Sequence, residues 1–270
     1  MKLAISNIAW PREGDIRVAA LMAAHGFGGV EIAPTRVWEQ PLEATEKVVR
    51  EHRRFWNDRG IEVVALQALL FGRPDLVLFE SEKARSDMLD HLRGMMRLAS
   101  WLGAGVLVLG APKNRKRSGM TASEAERVAV DFFRAAAGSA FETGVVLAIE
   151  PNPPQYNCDF ITSSREGLDL VREVASPGFG LHLDAAAMTL AGEDPEKAIV
   201  DCSGKISHFH ASEPSLGPVG AGSVDHGAIA KALRRIEYPS WVSVEMRDPG
   251  ISLVEVLGYV AGVYGYLSKT

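Results

Sequence analysis

The feature of this sequence that most limits its fold is a regular alternation of short β-rich runs with longer helical patterns along the whole chain. Eight runs have the length and composition of strands. They are KLAISNIAW, GVEIA, IEVVALQAL, GVLVLG, VVLAIE, FGLHLD, ISHFHA and WVSVEM. A helical pattern follows each run. Several of these patterns end at glycines, which favour helix C-termini, namely Gly26, Gly60, Gly103, Gly144 and Gly178.

Eight strand-helix units predict an α/β fold, the (β/α)8 TIM barrel, because eight parallel strands can close around an interior filled by their own side chains. The alternative, an open doubly wound sheet, usually carries a glycine-rich phosphate loop after its first strand. The corresponding turn here reads WPREG. No linker, low-complexity tract or shift in composition divides the chain, so residues 1–270 are expected to form a single barrel domain.

Composition narrows the classes of function. Lys and Arg total 29 against 34 Asp and Glu, a net charge of -5, so no overall basic field favours nucleic acid or an anionic membrane. The two cysteines are too few for a disulfide framework. Neither an apolar export signal nor a membrane-spanning run is visible. These features predict a cytoplasmic protein without nucleic-acid or membrane partners.

The ends of the last four predicted strands carry acidic and imidazole side chains. In a TIM barrel the active site lies at the C-terminal ends of the strands, and alternate residues point inward. This alternation directs four strand-end residues into one mouth: Glu150, Asp184, His210 and Glu245. It also places Ile206 on the inner face of the seventh strand.

Three carboxylates in one mouth would repel one another unless a positive charge lay between them. A divalent cation is the simplest such charge. Mixed carboxylate and imidazole ligation suits Mn²⁺, Co²⁺ or Mg²⁺, and also admits Zn²⁺ or Fe²⁺. Taken alone, a strand-end acid often caps the next helix and a strand histidine is often a core residue. Their occurrence together at the ends of four successive strands favours a metal site.

Four segments, IEPNPPQY, LHLDAAAM, HFHASEPSLGPVGAG and VSVEM, resemble motifs of the xylose isomerase-like TIM barrel superfamily. They are most similar to its sugar phosphate isomerase/epimerase branch, which includes the ketose 3-epimerases. The resemblance implies that Glu150, Asp184, His210 and Glu245 hold one Mn²⁺, Co²⁺ or Mg²⁺ ion. It also implies that Glu150 and Glu245 are the two catalytic acid/base groups.

The activity that this resemblance implies is that of a metal-dependent isomerase or epimerase acting on a small carbohydrate. A proton alpha to the substrate carbonyl would be removed and returned through an enediolate. Relatives are often dimers or tetramers, so a homo-oligomer is the implied assembly.

Three positions depart from the 3-epimerase pattern. Ala187 stands where those enzymes have a histidine, Tyr156 where they have a second carboxylate, and Leu216 where they have an arginine. The residues that would bind the metal therefore match the 3-epimerase pattern better than the residues that would bind the sugar. Three alternatives stay open: an inosose or dehydroshikimate-type dehydratase of the same superfamily, an endonuclease IV-like DNA repair enzyme, and a catalytically silent sugar-binding barrel.

Further residues at the predicted mouth are candidates for contacting the substrate. They are Glu31, Gln67, His182, His208, Lys113, Arg115 and Trp10. Lys113 and Arg115 lie in the loop APKNRKR, where they would hold a phosphate or carboxylate. Trp10 would stack on a sugar ring, and Glu31 would touch the substrate or support a metal ligand. A salt bridge, core packing and a solvated loop are the ordinary alternatives for these residues.

Overall fold

The computed structural model describes residues 1–117, 119–247 and 252–265. Eight parallel strands form a closed barrel in chain order, and the last strand pairs with the first. The predicted α/β barrel is therefore confirmed. The strands are β1 (Lys2–Ser6), β2 (Gly29–Ile32), β3 (Glu62–Leu66), β4 (Val106–Leu109), β5 (Val146–Ile149), β6 (Phe179–Asp184), β7 (Ile206–Ser212) and β8 (Trp241–Glu245).

The described ranges contain nine α-helices, one more than the sequence patterns predict. They are α1 (Asp15–Ala24), α2 (Glu46–Asn57), α3 (Glu82–Leu102), α4 (Ala122–Glu142), α5 (Ser164–Val174), α6 (Ala185–Leu190), α7 (Pro195–Asp201), α8 (His226–Arg235) and α9 (Leu253–Tyr264). The additional helix is α6, which follows β6 without a loop. Its six residues are too few to show helical periodicity. None of the helices in these ranges is long and apolar enough to cross a membrane.

The two faces of the strands pack in different ways. Outward-facing residues such as Leu147 and Ile149 of β5 belong to the main hydrophobic core. A separate small group, which includes Ala4, packs against Trp241. Small residues make room for this indole, since a Cβ on Gly29 would lie 2.8 Å from the Trp241 ring. This packing fills the part of the interior near the start of β8 and leaves the opposite end of the barrel for polar side chains.

A β-bulge in β7 changes which side chains face the interior. Ile206 and His208 pair with consecutive residues of β6, which leaves Ser207 as an extra residue. The Ser207 hydroxyl lies so close to Gly180 that a Cβ there would be 2.0 Å from it. Ile206 belongs to the main core instead. The prediction that Ile206 faces the interior is therefore wrong, because a bulge shifts the alternation by one residue.

Four of the five glycines predicted to end helices do so. Positive φ angles occur at Gly26, Gly60, Gly103 and Gly144. Helix α5 instead ends through Ala175, which adopts φ 52. Gly178 serves a different purpose, because a Cβ there would lie 2.1 Å from the Ala137 carbonyl oxygen. The glycine thus permits close packing of the start of β6 against α4.

Candidate active site

One cavity at the C-terminal mouth of the barrel brings the four predicted strand-end residues together. It has a volume of about 870 Å³, and residues at and beyond the ends of β3 to β8 line it. Its lining includes Glu150, Asp184, His210 and Glu245. Glu150 directly follows β5, Asp184 ends β6, His210 lies in β7 and Glu245 ends β8.

Glu150 is positioned by the loop between β4 and α4. Gly110 leaves space for its carboxylate, since a Cβ there would lie 2.2 Å from Glu150 Oε2. The buried Arg115 donates from Nη2 to the Glu150 carbonyl at 2.6 Å and from Nε to the Gly110 carbonyl at 2.8 Å. Its Nη1 donates to the Phe160 carbonyl at 2.5 Å. The predicted binding of a substrate anion by Arg115 is thus corrected, because backbone carbonyls engage every guanidinium nitrogen.

Asp184 is held by two hydrogen bonds. Its Oδ1 accepts from the Ala187 N–H at 2.6 Å, and its Oδ2 accepts from the Ser212 hydroxyl at 2.5 Å. The first of these bonds caps the N-terminus of α6. Each carboxylate oxygen has further lone pairs, so capping the helix leaves Asp184 able to hold a cation. The helix cap and the metal site are therefore compatible roles for this residue.

Glu31, from β2, is fully buried and orients the imidazole of His210. Its Oε2 accepts from the Ser243 hydroxyl at 2.6 Å and contacts Nε2 of His210 at 3.0 Å and of His208 at 3.3 Å. The other nitrogen of His210, Nδ1, lies 3.4 Å from Glu245 Oε2. Because it lies below His210 and outside the cavity lining, Glu31 supports a candidate metal ligand rather than contacting substrate.

Side-chain atoms from four residues converge at the mouth in a way that fits a cation. One atom from each of Glu150, His182, Asp184 and His210 lies within 4.8 Å of the other three. His182 is absent from the quartet predicted from sequence. Within the described ranges, neither of its ring nitrogens has a hydrogen-bond partner, and His210 Nδ1 has only longer contacts with carboxylate oxygens, 3.4 Å to Glu245 Oε2 and 3.9 Å to Asp184 Oδ2. These imidazole nitrogens and the carboxylates of Glu150 and Asp184 form a set of donor atoms suited to a divalent ion. Glu245 lies close to this set.

Crowding of the carboxylates perturbs their titration. Burial, followed by the nearby Glu245 and Asp184, raises the pKa of Glu150 to about 8. Burial and then Glu245 raise the pKa of Asp184 to about 6. Burial disfavours the charged form of His210, but Glu31 and Glu245 outweigh it and raise the pKa of His210 well above its ordinary value. A divalent ion among these groups would offset the carboxylate repulsion.

Two buried amide side chains add acceptors to the cavity. Gln67 donates from Nε2 to Glu245 Oε1 at 2.8 Å. Within the described ranges, its own Oε1 and the Oδ1 of Asn152 have no partner, and both residues line the cavity. Buried acceptors require a donor, and the hydroxyl groups of a sugar provide one. Sequence reasoning missed Asn152, although its place two residues after Glu150 was a usable signal.

The other predicted substrate contacts differ in their access to the cavity. Lys113 is exposed and lines it. Trp10 is only 2% exposed, and its indole N–H donates to Asp15 Oδ1 at 2.7 Å. His182 and His208 are fully buried and are not among the lining residues. Trp10, His182 and His208 are therefore corrected as substrate contacts, because each lies within the protein interior.

Sequence reasoning did not identify the hydroxyl groups that orient the acidic side chains. Ser212 donates to Asp184, and Ser243 donates to Glu31. A serine within a strand has no spacing or composition signal for such a role. Ser243 lies two residues before Glu245 in β8, so the strand alternation that directs Glu245 inward also directs Ser243 inward.

Comparison with known proteins gives consistent matches over most of the chain. A family model described as xylose isomerase-like TIM barrel matches residues 19–261. The L-ribulose 3-epimerase of Methylomonas sp. (strain DH-1) is 23% identical over 256 residues, which cover 90% of this chain and 84% of that protein.

Two solved structures show the same fold. D-psicose 3-epimerase in the presence of D-fructose has a TM-score of 0.82 at 18% identity, covering 98% of this chain and 100% of that chain. The apo form of 3-keto-D-glucoside 4-epimerase YcjR from E. coli has a TM-score of 0.81 at 19% identity, covering 97% and 99%.

Proposed function

Because the chain belongs to the xylose isomerase-like TIM barrel family, we propose that it is a metal-dependent carbohydrate epimerase or isomerase. Its reaction is proton transfer alpha to a carbonyl through an enediolate. The observation that carries this proposal is the convergence of Glu150, Asp184, His210 and Glu245 on one cavity. The similarity to L-ribulose 3-epimerase supports it.

The donor atoms at the mouth fit one divalent ion. Glu150, Asp184, His210 and Glu245 would hold it, and His182 lies within reach of the same ion. Carboxylate and imidazole ligands suit Mn²⁺, Co²⁺ or Mg²⁺, and Zn²⁺ is also accommodated. When bound, such an ion polarises the substrate carbonyl and makes the neighbouring C–H group more acidic.

Glu150 and Glu245 are the proposed proton-transfer groups. They line the same cavity and come from the ends of β5 and β8, which are not neighbours in the barrel. One carboxylate removes the proton from the carbon next to the carbonyl, and the other returns a proton from the opposite face. Without metal, burial and then Glu245 and Asp184 raise the pKa of Glu150 to about 8. A bound cation would lower this pKa, so burial and charge together set the basicity of the carboxylate. Gln67 orients Glu245 through its hydrogen bond.

The test is deuterium uptake from D₂O by sugars incubated with the Mn²⁺-loaded protein. D-psicose, D-fructose and L-ribulose form the panel, and mass spectrometry reports both deuterium and any loss of water. Glu150→Gln and Glu245→Gln should each slow exchange by about 100-fold or more, as removal of an acid/base group does. Glu62→Gln is the matched control, because Glu62 is exposed at the start of β3.

Two measurements separate this proposal from its alternatives. Elemental mass spectrometry on the reconstituted protein should find about one divalent ion per chain. A protein that exchanges deuterium equally well after removal of all metal would contradict the proposal. A product that has lost water would indicate a dehydratase instead.

A further inference from the structure

The cavity offers more space than a free hexose fills. A hexose has about 12 non-hydrogen atoms, and at roughly 30 Å³ for each, the volume of a water molecule in the liquid, it fills at most about 360 Å³. The cavity volume is about 870 Å³. More than half of the space therefore remains when one sugar ring lies against the carboxylates.

The remaining space has an apolar wall. Leu69, Leu70 and Phe71, which follow β3, line the cavity, as does Leu216 beyond β7. Phe71 is 71% exposed, although large apolar side chains normally avoid water. Hydroxyl groups of a second sugar would find few partners on these side chains. An aromatic or aliphatic group would bury apolar surface against them.

Backbone strain presents this wall to the cavity. Ala68, Ser215 and Leu216 have φ angles of 53, 61 and 58, in the left-handed region that non-glycine residues rarely adopt. All three line the cavity. The Arg247 N–H donates to the Leu216 carbonyl at 3.0 Å and holds the strained turn. Strain retained in cavity-lining segments commonly serves binding.

Among the residues that the structure describes, the cationic side chains near the mouth do not converge into a phosphate site. Arg73 donates to Asp75 Oδ2 at 2.6 Å, and backbone carbonyls occupy Arg115. Lys113 and Arg247 line the cavity, but they follow β4 and β8, on opposite sides of the barrel. A phosphate group requires several donors converging on one point. The apolar wall therefore indicates an apolar substituent on the sugar rather than a phosphate group.

We propose that the substrate is a glycoside with an aromatic aglycone, whose sugar ring lies at the carboxylates and whose aglycone packs against Phe71 and Leu216. This inference rests on the proposed proton-transfer function. Glycosylation blocks the anomeric carbon, so the carbonyl is a ketone within the ring. One carboxylate takes the proton from the adjacent carbon, and the electron pair of the broken C–H bond enters the enediolate. Return of a proton to the opposite face restores the ketone, with no net oxidation.

The test compares the phenyl and methyl 3-keto-D-glucopyranosides, in both anomers, by isothermal titration on the Mn²⁺-loaded protein. A ketone at the middle of the ring has exchangeable protons on both sides. The phenyl glycoside should bind about tenfold or more tightly than the methyl glycoside, because it buries an aromatic ring. Phe71→Ala should reduce this preference to about threefold or less. Phe141→Ala is the control, since Phe141 is also exposed, at 63%, and does not line the cavity.

The outcomes separate this inference from the proposed function. Equal binding of the two glycosides, or an unchanged preference in Phe71→Ala, would overturn the aglycone site even where methyl glycoside or free ketose exchanges deuterium. Tighter binding of D-fructose 6-phosphate than of the phenyl glycoside would also overturn it. A phenyl preference lost in Phe71→Ala supports the site. The same preference without deuterium exchange on any sugar would contradict the reaction instead.

Discussion

At the scale of single residues, Glu31 shows how a buried carboxylate supports a site that it does not enter. It accepts from the Ser243 hydroxyl and contacts Nε2 of both His208 and His210. Burial opposes the charged form of Glu31, but His210 and His208 outweigh it and lower the pKa of Glu31 well below its ordinary value. The charged carboxylate therefore favours a proton on His210 Nε2, which leaves Nδ1 to face the other carboxylates.

We expect Glu31→Gln to weaken Mn²⁺ binding by about 10- to 100-fold, because loss of the orienting carboxylate lowers the basicity and order of His210. Isothermal titration with Mn²⁺ measures the affinity. Glu62→Gln, which removes an exposed carboxylate from the start of β3, provides the control. An unchanged Mn²⁺ affinity in a folded Glu31→Gln protein would show that Glu31 has no such role.

At the scale of elements, the segment between β7 and α8 is organised around one buried acid. Glu213 accepts from the N–H groups of Gly220, Gly222 and Val224 and contacts His226 Nε2 at 3.2 Å. A Cβ on Gly222 would lie 2.0 Å from Glu213 Oε2, so a larger residue there would displace the Glu213 carboxylate from its amide donors. Glu213 also lines the cavity. Its contacts therefore connect the wall of the cavity to His226, the first residue of α8.

Removal of this acid should loosen the whole segment. We expect Glu213→Ala to lower the free energy of unfolding by about 2 to 4 kcal/mol, since several buried donors lose their acceptor. Denaturant titration measures the loss, and amide hydrogen exchange should quicken at Gly220, Gly222 and Val224. Glu196→Ala, in the first turn of α7, is a control of the same chemical change. Unchanged exchange at these three amides would argue against the anchoring role.

At the scale of the whole molecule, closure of the barrel forces acids from separate strands together. The strands β5 to β8 are hydrogen-bonded to one another in chain order, so their ends cannot move apart independently. The closed barrel therefore holds the carboxylates close together despite their mutual repulsion, and this arrangement is already suited to bind a cation.

We expect the acidic groups and His210 at the mouth of the metal-free protein to contribute less stability as pH rises from about 5 to about 8. The pKa values of Glu150 and Asp184, about 8 and about 6, exceed their ordinary values of 4.5 and 3.8, and the pKa of His210 is also raised. At these three groups the folded state binds more protons than the unfolded state, so their contribution to stability falls as pH rises. Four other histidines, buried or half-buried, have lowered pKa values and contribute with the opposite sign, namely His52, His91, His182 and His226. Mn²⁺ replaces these protons, so its stabilising effect should grow with pH.

Thermal melts followed by circular dichroism, with and without Mn²⁺, measure this effect. With the Mn²⁺ concentration fixed at about 100 times the Kd measured at about pH 8, Tm should rise by roughly 5 to 10 °C at that pH. The rise should be larger at about pH 8 than at about pH 6. Equal rises at both values would mean that metal and protons do not compete for Glu150 and Asp184.

Much of the fold and part of the site were predictable from local patterns. Strand alternation placed Glu150, Asp184 and Glu245 at strand ends, and the structure brings them to one cavity. The same rule failed for Ile206, because a bulge is decided by the packing of Ser207 against Gly180. Periodicity also missed α6, whose start depends on a cap from the last residue of β6.

The amino-acid sequence by itself determined the number of strands, their order and the chemical character of the mouth, because strand length, alternation and acidic strand ends are local properties. Only the tertiary structure decided what each polar side chain does. Arg115 binds backbone carbonyls, Trp10 is buried, and Glu31 meets Ser243 across 212 residues of chain. Such contacts join segments that no short pattern connects, so they emerge only when the barrel closes.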